Sequence, residues 1–250
     1  MTMIRDAWLR TFFPRPNAPL RLLFFPHAGG SASFYRSVAG ALPEHVEPVI
    51  VQYPGREDRI NEKPCVDMDE LVAGLTEALD PLVDKPIWFF GHSMGASVAH
   101  EVTRLLTARD RPRPEHLVVS ARPGPARQRS DDKYLDDERL WADVRDMGGT
   151  NASLLAMPEI KAMALPMIRA DYRLIETYRA RVSADLDIPL TACFSDRDPE
   201  VDREDAEAWR AATSGPFAVE SFTGGHFYLR EESERAVVDW LTARIGNRRT

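Results

Sequence analysis

Short apolar runs alternate with longer amphipathic stretches over the first half of the chain. Leu20 to Phe25 is apolar except for Arg21, and Pro48 to Val51 and Ile87 to Phe90 are apolar throughout. His116 to Ser120 carries Leu117, Val118 and Val119. Runs of this kind are the pattern of strands covered on both faces. Between them, Leu71, Val72, Leu75, Leu79 and Leu82 recur at helical spacing, as do Ala96, Val98, Ala99, Val102, Leu105 and Leu106. The pattern predicts helices over Phe34 to Leu42, Asp69 to Leu82 and from the Gly95 region to Asp110. Strands alternating with helices imply a parallel sheet, whose functional loops lie at the carboxyl ends of its strands. Ahead of them, Trp8-Leu9 and Phe12-Phe13 precede Pro14, Pro16 and Pro19, which suits a short edge strand.

The alternation stops at Arg122. Until about Asp187 only helical periodicity is visible, first in Leu135, Leu140, Trp141, Val144 and Met147. It continues in Ile160, Met163, Met167, Ile168, Tyr172, Ile175 and Tyr178, where Pro166 predicts a kink or a restart. Ile188 to Phe194 returns to the strand pattern, Arg203 to Ala212 reads as a helix and Val219 to Phe222 as the last strand. A final helix carries Val237, Trp240, Leu241 and Ile245. The expected organisation is an α/β core over 1–121 and 188–250, with 122–187 as a helical lid insertion. Met147, Met157, Met163 and Met167 fall in that insertion, where an adaptable thioether surface would suit flexible apolar ligands; the plainer reading makes them core residues.

Composition narrows the classes. A net charge of −7 argues against nucleic acid as a partner. Cys65 and Cys193 are too few for a disulfide framework or a metal cluster. Arg5, Asp6 and Arg10 interrupt the apolar residues of the N-terminus, and no apolar run approaches membrane-spanning length. No signal peptide, no membrane and a cytoplasmic setting are the expectations.

The chemistry lies at the strand ends. Gly91-His92-Ser93-Met94-Gly95 sits between a buried strand and a helix, the setting of the α/β-hydrolase nucleophile elbow. A serine hydroxyl needs a base, and the base an orienting acid; on this fold they follow in the order Ser, Asp or Glu, His. His226, after the last strand and behind Gly224-Gly225, is the candidate base. His92, His27, His100, His45 and His116 read as packing or positioning residues. Asp198 is the candidate acid because Pro199 holds it extended; Asp196, two residues earlier, is the alternative and could cap the turn instead. An oxyanion hole needs two backbone N–H groups. One would come from Met94 and the other from the loop Pro26-His27-Ala28-Gly29-Gly30, where His27, Ala28 and Gly29 are candidates and Ala28 is the choice.

Phe25-Pro26-His27-Ala28-Gly29-Gly30, Tyr53-Pro54-Gly55-Arg56, Gly91-His92-Ser93-Met94-Gly95, Met147-Gly148-Gly149-Thr150, Arg169-Ala170-Asp171-Tyr172, Asp198-Pro199 and Gly224-Gly225-His226-Phe227 span most of the chain. Taken together, they resemble the type II thioesterases that accompany polyketide synthases and nonribosomal peptide synthetases. The resemblance implies an α/β-hydrolase fold with a helical lid and a Ser93–Asp198–His226 triad with Ala28 and Met94 at the oxyanion hole. It also implies hydrolysis of acyl groups from the phosphopantetheine arm of acyl or peptidyl carrier proteins, without cofactor. The family often has a basic pair followed by Ala-Pro after the strand that here ends at Ser120; this chain has Ala121-Arg122-Pro123-Gly124-Pro125. A carboxylesterase or medium-chain acyl-CoA thioesterase, and a non-catalytic hydrolase-fold binding protein, are the alternatives. Carrier proteins are generally acidic, so docking on this acidic chain calls for a local basic patch, for which Arg122, Arg127, Arg129 and Lys133 are candidates.

Overall fold

A computed structural model describes residues 6–149, 152–183 and 185–247. Seven strands form one sheet in the order β1-β3-β2-β4-β5-β6-β7. They are β1 (Leu9–Arg10), β2 (Leu20–Phe25), β3 (Val46–Val51), β4 (Ile87–His92), β5 (His116–Ser120), β6 (Leu190–Ser195) and β7 (Phe217–Phe222). Only β1 runs antiparallel, on the edge beside β3; the other pairings are parallel. The helices are α1 (Arg36–Ala41), α2 (Met68–Ala78), α3 (Met94–Ala108), α4 (Asp137–Met147), α5 (Ala152–Leu155), α6 (Pro158–Thr177), α7 (Arg203–Glu207) and α8 (Glu234–Gly246).

The continuous apolar runs are buried on both sides of the sheet, as their lack of alternation requires. One face packs Leu23, Phe25, Val49 and Phe89 against Leu71 and Leu75 of α2 and Val98 and Val102 of α3. The other packs Leu22, Phe24, Ile50 and Phe90 against Val38 of α1 and Val237 and Leu241 of α8. The exception in β2, Arg21, is buried with its charge met by Glu47 at 2.8 Å and by Asp84. Between β5 and β6 the described residues contain no strand, only helices and single turns, with one isolated bridge from Leu186 to Thr213. Helices α4 to α6 hold their own small apolar cluster of Leu140, Trp141, Leu155, Leu165 and Ile168.

Some helix ends differ from the periodicity. The Phe34 to Leu42 helix begins as a 3-10 turn at Ala32–Tyr35, leaving α1 short. The Asp69 to Leu82 helix ends at Ala78 and becomes a 3-10 turn over Asp80–Leu82, where Pro81 has no N–H to carry the α-helical ladder onward. Arg203 to Ala212 likewise splits at Glu207 into α7 and a 3-10 turn. Conversely, α6 runs unbroken through Pro166, where Leu165 and Ile168 on either side are buried. No helix of the described residues is long and apolar enough to cross a membrane.

Candidate active site

The carboxyl ends of β2, β4, β6 and β7 converge on one cavity of about 620 Å³. At the end of β4, Ser93 is held at φ 53°, ψ −121° and α3 starts at the next residue. A side chain with a Cβ pays strain there, of order 1–3 kcal/mol by the usual measure for such conformations. Close packing enforces the turn: a Cβ on Gly91 would lie 2.3 Å from the Gly95 carbonyl oxygen, and one on Gly95 would lie 2.0 Å from that of Phe25. The Ser93 N–H is anchored on the Ser120 carbonyl at 2.8 Å. The Ser93 side chain is thus presented at the head of α3, facing the cavity it lines.

His226 follows β7 and is buried, and its Nδ1 lies 3.1 and 3.0 Å from the two carboxylate oxygens of Asp198. The Asp198 side chain is fully buried, and its Oδ1 also accepts the Glu200 N–H at 2.9 Å. Asp196, the alternative, faces solvent; it accepts the Gly224 N–H at 2.9 Å and lies beside Arg197. The structure therefore brings Asp198 to His226 and uses Asp196 to tie the β6 and β7 loops together. With Nδ1 turned to the acid, Nε2 is the ring nitrogen left for a serine proton. Of the two glycines before His226, only Gly224 is constrained, at φ 135° and with Tyr228 against it; Gly225 has open space around its Cβ position.

The other histidines are structural. His92 bonds through Nδ1 to the Ser120 hydroxyl at 2.8 Å, which in turn meets the Tyr228 hydroxyl at 2.6 Å. His27 is wedged edge-on between Phe34 and Phe227, with ring centroids 4.4 and 4.7 Å away. Burial, then the nearby His226 and Arg56, push its pKa down to about 3, so it sits in the fold as a neutral spacer. His116 stacks on Trp88, His100 lies beside Glu101, and His45 is exposed.

The loop from Pro26 to Ser31 lies opposite Ser93. The Gly29 N–H donates to Asp171 Oδ2 at 2.7 Å and the Gly30 N–H to the His27 carbonyl at 2.9 Å. Gly29 is therefore engaged elsewhere, and Ala28, which lines the cavity, remains with His27 as a source of the second oxyanion donor. Asp171 belongs to α6 and is buried; it also takes a two-pronged pair from Arg56, at 2.9 and 2.8 Å. Sequence reasoning quoted both residues in motifs but assigned them no role. The available signal was that Asp171 stands on the apolar face of α6, three residues from Ile168 and four from Ile175, where a charge needs a partner.

The cavity's far wall comes from α4 to α6: Trp141, Val144, Met147, Leu155, Ile160, Met167 and Ile168 line it. Met147 and Met167 face the cavity as expected, whereas Met157 and Met163 are exposed and take no part in it. Thr150, the end of one motif, lies outside the described residues. The basic stretch carries less free charge than its composition suggests. Arg127 pairs with Asp205 at 2.6 Å and Lys133 with Asp143 at 2.7 Å and Glu200 at 3.1 Å, while Arg129 approaches Asp205 at 3.9 Å. Arg122 donates through Nε to the Ser97 hydroxyl at 3.2 Å and also lines the cavity.

Residues 20–245 match the family model described as the thioesterase domain. The chain is 42% identical over 230 residues to the thioesterase PikA5 of Streptomyces venezuelae, covering 90% of this chain and 81% of that one. It superposes with a TM-score of 0.86 on the type II thioesterase BorB from the borrelidin biosynthetic cluster, at 43% identity over 95% of this chain and 97% of the other. RedJ, a thioesterase from the prodiginine pathway of Streptomyces coelicolor, gives the same TM-score at 35% identity, covering 92% and 88%. With the strained serine, the buried acid–base pair and a family match running through nearly the whole chain, the protein belongs to the thioesterase family.

Proposed function

We propose that this protein is an editing thioesterase, which removes acyl groups from the phosphopantetheine arm of acyl or peptidyl carrier proteins in polyketide or nonribosomal peptide synthesis. The observation that carries the reading is the buried Asp198–His226 pair, at 3.0 Å, opening on the same cavity as the strained Ser93. The named relatives, all thioesterases and two of them from biosynthetic pathways or clusters, support the substrate class.

In the mechanism, Ser93 Oγ attacks the thioester carbonyl while His226 Nε2 takes its proton. Asp198 steadies the imidazolium, and the Ala28 and Met94 N–H groups meet the oxyanion. The thiol leaves with the proton returned by His226. Water, deprotonated by the same imidazole, then cleaves the acyl-enzyme. In this reading the 122–187 segment acts as the lid, with its apolar wall receiving the acyl chain and the carrier arm entering beside Arg122 and Pro123. No cofactor takes part.

Rates on an acyl-carrier protein, the matching acyl-CoA and a p-nitrophenyl ester test it. The expected order in kcat/KM is carrier protein first. A p-nitrophenyl ester turned over fastest would make the protein a carboxylesterase, and failure to label Ser93 with a fluorophosphonate would remove the catalytic reading altogether.

A further inference from the structure

The oxyanion loop is held jointly by the core and by helix α6. Three of its backbone groups are engaged by buried side chains: the Pro26 carbonyl by the Tyr53 hydroxyl at 3.2 Å, the Gly29 N–H by Asp171 at 2.7 Å, and the Gly30 carbonyl by Arg56 Nη1 at 3.1 Å. Asp171 and Ile168 stand one turn apart on α6. Gly29, at φ 76°, leaves just enough room for that helix, since a Cβ there would come 3.1 Å from Ile168 Cγ1. A buried ion pair is a poor source of net stability, because desolvating both charges offsets most of their attraction. A pair placed here is better understood by what it holds.

We propose that Asp171 and Arg56 are positioning residues that aim the Ala28 N–H at the oxyanion and make oxyanion stabilisation depend on the seating of α6; this rests on the hydrolase mechanism proposed above. Capture of the Gly29 N–H fixes the plane of the Ala28–Gly29 peptide, and with it the torsions that orient the preceding N–H. The two charges have unequal parts. Asp171 alone would set a negative charge beside a developing oxyanion and oppose the transition state. Arg56 neutralises it, with both of its terminal nitrogens on the carboxylate. If α6 moves away, Gly29 loses its acceptor and the hole loses its aim, so a displaced helix means an idle serine.

The charges predict an order of damage that a purely structural pair would not give. The reaction to follow is hydrolysis of a small acyl N-acetylcysteamine thioester, alongside affinity for a trifluoromethyl ketone that mimics the tetrahedral intermediate. Asp171→Asn keeps an acceptor for the Gly29 N–H and should stay within about 5-fold of wild type. Arg56→Met leaves the carboxylate unneutralised and should lower kcat by about 10- to 100-fold with little change in KM, against the 10²- to 10³-fold lost when a whole oxyanion donor is removed. The double variant Arg56→Met with Asp171→Leu replaces the pair by apolar groups and keeps the fold assessable if Arg56→Met alone does not fold. It should recover thermal stability while kcat and ketone affinity stay low together. Full recovery of kcat in the double variant, or Asp171→Asn falling as far as Arg56→Met, would overturn the proposal. Ser93→Ala in the same assay separates the two readings: if it stays active, the hydrolase mechanism itself has failed, whatever the pair does.

Discussion

The two sides of the cavity are built differently. The side that carries Ser93 and His226 rests on backbone packed so closely that glycine is obligatory at Gly91 and Gly95, and His226 and its partner Asp198 have buried side chains. The opposite side is three helices around a small cluster of their own, with Met157, Met163, Leu135 and Leu154 exposed. Close packing on the first side leaves the reacting groups one arrangement, as preorganised catalysis requires. The second side has a thin core and sets the adaptable side chains of Met147 and Met167 among branched and aromatic ones, which suits ligands of variable shape. The difference separates chemistry from selection: damage to the first side should act on every substrate alike, and damage to the second should depend on the acyl chain.

The largest expected effect is on the first side. Ser93→Ala should lower turnover by about 10⁶-fold on all substrates, with the fold intact by circular dichroism. Retention of a tenth of wild-type activity would end its assignment as nucleophile. Asp198→Asn should cost about 10⁴-fold by leaving the imidazole in the wrong tautomer. Asp196→Asn, which keeps an acceptor for Gly224, should cost less than about 10-fold; turnover damaged in the reverse order would move the acid to Asp196.

Acid sensitivity should also sit on that side, since no histidine lies between Arg122 and Asp187. His27 falls from an ordinary 6.5 to about 3 and His116 to about 4, both mainly through burial. A group neutral in the fold but protonated on unfolding contributes its full stability above pH 6.5 and loses it as the pH falls toward the folded value. For His27 alone the loss at pH 5 is about 2 kcal/mol. Urea denaturation at pH 7.5 and 5.0 should show a smaller pH difference for His27→Gln than for wild type, and equal differences would place the sensitivity elsewhere. The smallest effect belongs to the helical side. Met167→Ala should raise the ratio of decanoyl to acetyl thioester kcat/KM by about 3- to 10-fold, at or below the low end of what one added or removed apolar group gives. An equal change on both substrates would erase the division between the two sides.

The legible parts were those whose constraints are local. The elbow needs only a buried strand, two glycines and an amphipathic helix in succession, and each is visible in the residues from Ile87 to Leu106. His226 is marked by its place after the last strand. Asp196 and Asp198 are harder to tell apart, because both leave the same strand end; Pro199 is the local mark of Asp198, while the hold of Asp196 on the Gly224 N–H comes from a distant loop. Arg56 and Asp171 meet across 115 residues, and no single-sequence pattern pairs them. How much free charge the basic stretch carries was hidden for a related reason: a count of cations cannot show that Asp205 folds back onto Arg127, or Asp143 and Glu200 onto Lys133.

The two residues of β1 have a consequence for solubility. β3 is a six-residue strand, buried along its length, and without β1 its outer end would offer unpaired backbone groups to any other chain. Such an edge is a template for intermolecular pairing. Leu9 and Arg10 close it by lying antiparallel against Val51 and Ile50, and the Trp8 carbonyl takes the Gln52 N–H at 2.7 Å. The strand is too short to recruit a further partner of its own, and it carries Arg10, tied to Asp58 at 2.6 Å, on the rim. Removing the residues up to Arg10 should leave the catalytic groups untouched but make the protein self-associate, seen as light scattering that rises with concentration; a truncated chain that stays monomeric would show that the edge is guarded by something other than β1.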